Sequence, residues 1–347
     1  MKKVELGYIQ LVREAQIEVE KSCYNEEMKR TRKERLISVI ATCYNEQDNL
    51  VELHRRVGDV FNNLHDFDYE LILVDNDSTD KSLAIYQKLV KIDQRVKIVV
   101  LSRNFGSPQP SFIAGLEQAT GEAAVLLHGD IQDPPELIPK FIEKWQMGWM
   151  VVYGVRTSRR GYGKLMNWVY RAFYELLKKL AYIEIPLNAG EFSLMDARVV
   201  KELLKIDEYD YYLRCLRAYV GFPQIGIEYV REARTKGKST ESIRSGLWWA
   251  KTIIVNFSFK PLAWISTLAL LTVSASFLAI IVFLISYYFS PSSPRGIPTL
   301  FVLILFLGGI QLLSLSVIAE YIAKIFLEVK HRPKYIIKQI IGGKNEK

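Results

Sequence analysis

"AAVLLHGDIQDPPE", Ala123 to Glu136, sets five apolar residues directly against a histidine, a glutamine and two aspartates. The apolar run is bounded by Gly121 and by the Pro134-Pro135 pair. It is too short for a helix and the right length for a buried strand. Asp130 therefore falls just past the carboxyl end of a strand, the edge at which open α/β sheets bind their ligands. Carboxylates so placed serve either a hard cation or the backbone of a solvated turn, and this stretch alone leaves both open.

Working outward, short β-type runs alternate with longer amphipathic segments from Ile37 onward. "ISVIAT" precedes a helical stretch from Gln47 to Leu64, and "ELILV" precedes another from Lys81 to Ile92. After "VKIVVL" come a helix near Ser111 to Ala119, the "AAVLL" strand and a helix from Glu136 to Trp145. Strand and helix alternating at this spacing predict an α/β fold with a largely parallel sheet covered on both faces. The polar clusters then share one edge: Tyr44-Asn45-Glu46 after the first strand, Asp75 to Asp80 after the second, and "HGDIQD" after the fourth. Together they describe a crevice lined with carboxylates, suited to a base or ribose and to a metal ion carrying a diphosphate.

The chain has 347 residues, 49% of them apolar, with a net charge of +8, which allows one large domain and a further element. Leu262–Phe289 and Ile297–Ala319 contain no Asp, Glu, Lys or Arg. At about 1.5 Å per residue each is long enough for a hydrocarbon core of about 30 Å. Lys251 and Lys260 precede this pair, while Lys324, Lys330, Arg332 and Lys334 follow it. The positive-inside rule predicts a two-helix transmembrane hairpin with the preceding domain and both termini in the cytoplasm. The expected division is a charged extension over 1–36, a domain over 37–238, a juxtamembrane amphipathic segment over 239–260, the hairpin over 261–325 and a basic tail over 326–347. The amphipathic stretch Leu165 to Tyr182 suits either the membrane interface or the core of the domain.

Several classes lose their support. The N-terminal extension has no apolar core of a secretory signal, and three scattered cysteines form no disulfide pattern. The four histidines lack metal-ligand spacing, so a zinc site is not expected. No P-loop, GxGxxG or GxSxG segment is present. Arg156, Arg159 and Arg160 follow a strand-like "MVVYG", and Arg231, Arg234, Lys236 and Lys238 precede the apolar pair. These are either forked phosphate receptors or a basic face attracted to anionic lipid, and the two readings can coexist.

"SVIATCYNE", "LILVDNDSTDKS", "LSRNFGSPQPSFIAGLEQATGE", "HGDIQDPPELI", "VVYGVRTSRR", "IPLNAGEFSLMDARVV" and "YVREARTKGKS" occur in this order. From about Ile37 to Lys334 the chain thereby resembles bacterial polyisoprenyl-phosphate glycosyltransferases, the bactoprenol glucosyltransferase type of family 2 related to dolichyl-phosphate mannose synthase. The resemblance implies a GT-A nucleotide-sugar-binding domain with a mostly parallel sheet and a two-helix membrane tail. It implies inverting transfer of one hexose to undecaprenyl phosphate at the inner membrane, with glucose from UDP-glucose as the preferred donor. Expected partners are the nucleotide sugar, the polyisoprenyl phosphate and the membrane; homo-oligomer formation is left open and nucleic acid is not expected.

Residue by residue, the resemblance places Tyr44, Asn45, Glu46, Asp75, Asn76, His128 and Asp130 around the donor. Asp130, Gln132 and Arg156 carry the chemistry, and Arg156, Arg159, Arg160, Arg231, Arg234 and Lys238 receive the acceptor phosphate. The resemblance implies Mg²⁺ or Mn²⁺ on Asp130, with His128, as a neutral imidazole, left open as a contact of either the ribose or the metal. The chain departs from the family pattern at Thr42 for a proline, at Asn76 within "VDDGS", at His128 for the first acid of "DADLQDPP", and at Glu191 within "DAGDFR". Another sugar from UDP or GDP, direct glycosylation of diacylglycerol and a non-catalytic adaptor remain open. A processive polysaccharide synthase lacks its QxxRW segment. Asp75, as a strand-end carboxylate, is expected to be dispensable for folding.

Overall fold

The computed structural model describes residues 35–156, 189–231, 255, 258, 260–289 and 296–343. The N-terminal extension, the amphipathic stretch Leu165 to Tyr182 and most of the juxtamembrane segment lie outside the described residues. The described residues belong to two compact units. One carries those up to Arg231 together with 333–343, and the other carries 255–332.

The first unit is built on an eight-stranded sheet. β1 (Arg35–Cys43), β2 (Phe67–Asp75), β3 (Val96–Leu101) and β4 (Ala123–His128) are the runs expected from the sequence. They are followed by β5 (Val151–Arg156), β6 (Ala189–Asp196), β7 (Gln224–Tyr229) and β8 (Ile337–Gly342). The spatial order is β7-β5-β6-β4-β1-β2-β3-β8. The four strands β4-β1-β2-β3 are parallel, with Cys43 in register with Asp75 and Thr42 with His128. Three polar clusters therefore emerge side by side at one edge. β6 runs antiparallel to both β4 and β5, so its first residues, Ala189 to Glu191, start at that same edge.

Helices α1 (Leu50–Asn62), α2 (Ser82–Ile92), α3 (Gln109–Glu117), α4 (Ile138–Gln146), α5 (Ala197–Leu204) and α6 (Leu213–Tyr219) cover the sheet. On α1 the buried residues are Leu50, Leu53, Val57, Val60 and Phe61, the i, i+3, i+4 stripe of a helix laid on a core. α3 lies close enough that a Cβ on Gly115 would come within 2.4 Å of Ile40 Cγ2, which only glycine tolerates. The continuous burial of β1 and β2 explains why both read as unbroken apolar runs.

β6, β7 and β8 were not expected as strands. β8 falls in the segment expected to be a basic tail, yet it adds antiparallel to β3, with Val99 opposite Ile340. Lys334, counted among the topology-setting charges, donates to Ile206 O at 2.9 Å and pairs with Asp207 at 3.3 Å within this unit. Local pattern could not reveal a strand whose partner lies more than 200 residues earlier.

The second unit contains the two predicted apolar helices, α7 (Lys260–Phe289) and α8 (Ile297–Val329). Their apolar side chains face outward, among them Leu270, Val273 and Phe277 on α7 and Leu312, Ile322 and Phe326 on α8. A core helix would hide such residues. Among the described residues one segment, Phe306–Val329, is long and apolar enough to cross a membrane, whereas the apolar run described at the start of α7, Lys260–Ala275, is shorter.

Candidate active site

The loops after β1 and β2 are stitched together. Asn45, at φ 54°, adopts the left-handed conformation that asparagine tolerates, donates its N–H to Ser78 Oγ at 2.9 Å and accepts from Thr79 N at 2.8 Å. Gln47 N donates to Asp80 at 3.2 Å, and Lys81 N returns a bond to Gln47 Oε1 at 3.0 Å. Tyr44 stands at the rim, 41% exposed, while Glu46 turns inward and accepts from Asn49 Nδ2 at 2.5 Å. Asn76 is buried and clips this wall to the next loop, donating to Asn104 Oδ1 and accepting from Phe105 N.

Asp75 differs from expectation. It is 3% exposed, and its carboxylate accepts from Ser78 Oγ, Ser78 N and Tyr86 Oη at 2.5, 3.0 and 3.1 Å. It is part of the frame as well as of the edge. Asp75→Ala would remove an acceptor from the buried Tyr86 hydroxyl and both acceptors from Ser78, so urea denaturation should show a loss of about 1–3 kcal/mol in stability. An unchanged midpoint would show that Asp75 is dispensable for folding after all.

The "HGDIQDPPE" stretch is a built turn. Gly129 N donates to Thr42 O at 2.9 Å, and Arg56 grips Glu136 through two bonds of 2.7 and 2.6 Å. Ile131 has φ 57°, a conformation that strains a β-branched residue and is found where a site over-determines its backbone. Asp130 is half-buried, and its Oδ1 accepts from Gln132 N at 3.2 Å. Its other oxygen has no partner among the described residues. Asp133 is fully buried, accepts from Tyr229 Oη at 2.5 Å and lies 3.6 Å from Arg231 Nε. Arg156 donates to Tyr229 Oη at 3.4 Å; burial opposes its charge, but Asp133 and Tyr229 raise its pKa above the ordinary value.

His128 and Glu191 form the centre of this edge. The β4/β6 register carries them opposite one another, two residues past the last ladder pair, Leu126 with Ser193. His128 Nε2 lies 3.8 Å from Glu191, too long for a hydrogen bond but close for an ion pair, while Nδ1 faces Thr42 Oγ1 at 3.3 Å. Burial pulls the imidazole pKa down, yet Glu191, Asp133 and Asp130 outweigh it and raise it. Glu191 is half-buried; desolvation opposes its charge, but His128, Arg214 and Arg156 outweigh it and hold its pKa well below the carboxylate range. The pairing shifts the ring toward its protonated form. Gln109 Nε2 steadies Glu191 at 3.2 Å, and its Oε1 accepts from Leu213 N at 3.1 Å, tying α3 and α6 to the pair.

The donor set fits a divalent ion in one particular way. Among the described residues no three His, Cys, Asp or Glu side chains converge on a common point. Mg²⁺-type sites commonly use one or two carboxylates and complete their shell with water and substrate phosphates. Asp130, with one oxygen unpartnered among the described residues, suits an ion that arrives with a diphosphate.

The structure thus brings Tyr44, Asn45, Glu46, Asp75, Asn76, His128, Asp130, Gln132, Arg156 and Arg231 to one region of the first unit. Arg159, Arg160, Arg234, Lys236 and Lys238 lie outside the described residues. The sequence marked Asp133 only as part of the "HGDIQD" cluster and Glu191 only as a departure from the family pattern, and gave Gln109, Tyr229, Arg214 and Arg217 no role. The last two did leave a signal, two arginines three residues apart inside the otherwise apolar "YYLRCLRAYV".

Residues 38–204 match the family model described as Glycosyl transferase family 2. An uncharacterized glycosyltransferase of Bacillus subtilis, YkcC, is 38% identical over 89% of this chain and 95% of its own length. The uncharacterized glycosyltransferase sll0501 of Synechocystis is 36% identical over 88% and 96%. The SfII prophage-derived bactoprenol glucosyl transferase of Shigella flexneri is 34% identical over 88% and 99%.

Proposed function

The chain belongs to glycosyltransferase family 2, and from that premise we propose that it transfers one hexose from a nucleotide sugar to a polyisoprenyl phosphate at the cytoplasmic face of a membrane. The observation that carries the reading is the acidic sheet edge, where Asp130, with one carboxylate oxygen unpartnered among the described residues, lies on the same edge as Arg156. Full-length likeness to a bactoprenol glucosyl transferase supports the lipid acceptor and makes UDP-glucose the first donor to try.

In this reaction a phosphate oxygen of the lipid attacks the anomeric carbon while the bond from that carbon to the nucleoside diphosphate breaks. A single in-line displacement inverts the carbon. Mg²⁺ or Mn²⁺, held by Asp130 and the diphosphate, would supply Lewis-acid stabilisation of the leaving group. Tyr44, Asn45, Glu46, Asp75 and Asn76 form the wall for the nucleoside, and Gln132 orients a phosphate. Arg156 and Arg231, with Arg159, Arg160, Arg234 and Lys238, guide the anionic acceptor into an acidic crevice through forked or point-charge contacts. A phosphomonoester with a second pKa of about 6 is already a nucleophile near neutral pH, so no strong general base is required.

For the membrane topology we propose a reading that connectivity supports. The chain leaves the first unit before α7 and returns to it after α8, ending in β8 against β3. A segment that leaves and re-enters one folded body crosses a bilayer an even number of times. That argument supports α7 and α8 as a two-pass hairpin, with both termini on the cytoplasmic side.

The decisive assay supplies radiolabelled UDP-glucose and undecaprenyl phosphate to the full chain in detergent. Label should enter a butanol-soluble lipid that mild acid releases, with inverted anomeric configuration by NMR. Acid-stable label would indicate diacylglycerol instead, and a panel of UDP and GDP sugars identifies the donor. No labelled lipid with any donor would sink the reading.

A further inference from the structure

Arg217, on α6, is 0% exposed and is poorly served by its surroundings. Its Nη2 donates to Gly190 O at 3.3 Å, and its guanidinium lies 5.1 Å from the centroid of the Tyr153 ring. Its Nε and Nη1 find no hydrogen-bond acceptor among the described residues. Burying charged donors without acceptors is destabilising, so a group in this state points to a missing anion. Burial lowers its pKa to about 10, which leaves it protonated at neutral pH.

The neighbouring charges do not supply that anion. Arg214, three residues earlier on α6, donates to Ala189 O at 2.9 Å. Across β6, Arg156 Nη2 occupies the space beside Gly190, where a Cβ would come within 2.8 Å of it. Gly190 therefore has a guanidinium on its carbonyl and another where its side chain would be. The carboxylates of this cluster are the fully buried Asp133 and the half-buried Glu191 and Asp130, and against them stand Arg156, Arg214, Arg217, Arg231 and His128. Positive charge is in excess. Tyr153 and Arg156 are only half-buried, so the cluster reaches the surface at the edge where β6 begins.

We propose that Arg217, with Arg156 and Arg214, binds a phosphate group at the start of β6. A guanidinium fork matches phosphate oxygens, and a low-dielectric surround strengthens each such bond. The phosphate belongs either to the diphosphate of the donor or to the lipid acceptor; only that identification rests on the function proposed above.

The test uses the full chain in detergent with inorganic pyrophosphate, UDP and undecaprenyl phosphate as calorimetric probes, on wild type, Arg217→Met and Arg217→Lys. Arg217→Met should weaken pyrophosphate binding at least tenfold while the unliganded melting temperature stays level or rises, because an uncompensated buried charge is gone. Arg217→Lys, which keeps the charge without the fork, should fall between. Loss confined to UDP assigns the phosphate to the donor, and loss confined to the lipid assigns it to the acceptor. Binding of all three probes within twofold of wild type overturns the proposal. So does failure of Arg217→Met to fold together with unchanged binding in Arg217→Lys, since Arg217 would then serve the fold. If pyrophosphate binding depends on Arg217 but wild type transfers no sugar to lipid, the anion site stands and the functional reading fails.

Discussion

Asp130→Ala should reduce sugar transfer by about a hundredfold or more. Leaving-group stabilisation by a bound cation is worth several kcal/mol, and each ~1.4 kcal/mol is a factor of ten in rate. The variant should fold normally, because Asp130 is half-buried and its one described hydrogen bond, from Gln132 N, is local to the turn. The loss should appear in kcat with saturating UDP-glucose and excess Mg²⁺ or Mn²⁺. Near-wild-type turnover in metal-replete buffer would return "HGDIQDPPE" to the status of a solvated turn.

Glu191→Ala should lower both stability and transfer. Its carboxylate is the partner of His128, accepts from Gln109 and lies in the field of Arg214 and Arg156. Removing the carboxylate leaves the half-buried His128 and Gln109 without their partner, which should cost about 1–3 kcal/mol. Urea denaturation should show that loss, accompanied by loss of transfer. The pairing also changes what is expected at His128: the substitution is no longer that of a peripheral contact, and His128→Ala should disturb Glu191. A double-mutant cycle over the two residues should give a coupling of about 0.5–3 kcal/mol. Additive effects would mean that the 3.8 Å approach carries no energy.

His128 and Glu191 both stand where the related family has aspartate, and their joint departure is legible only once β6 is placed beside β4. In the family pattern two acids share this edge. Here one has become basic and the other has lengthened by a methylene, which lets a histidine and a glutamate meet across the ladder. Read separately, each residue is an isolated deviation. Together they form a cross-strand pair, with opposite charges replacing like ones.

Hydrophobic runs with their bounding glycines and prolines were enough to locate β1 to β4, the helices between them and the two long apolar helices, because burial and local turn chemistry are written in consecutive residues. The same local logic placed Asp75 and Asp130 at the carboxyl ends of strands, Asp75 as the last residue of β2 and Asp130 two residues beyond β4. Tertiary structure alone decided the rest. β6 is antiparallel, and β8 comes from the far end of the chain, so neither partner is near in sequence and no periodicity announces the pairing. Asp75 is buried because Tyr86 and Ser78 fold over it, and Arg217 is short of acceptors because α6 packs it against Gly190 and Tyr153. A residue's type, and its place at a strand end, can be read one position at a time. Its burial and its partners depend on distances between segments, which only the packed chain defines.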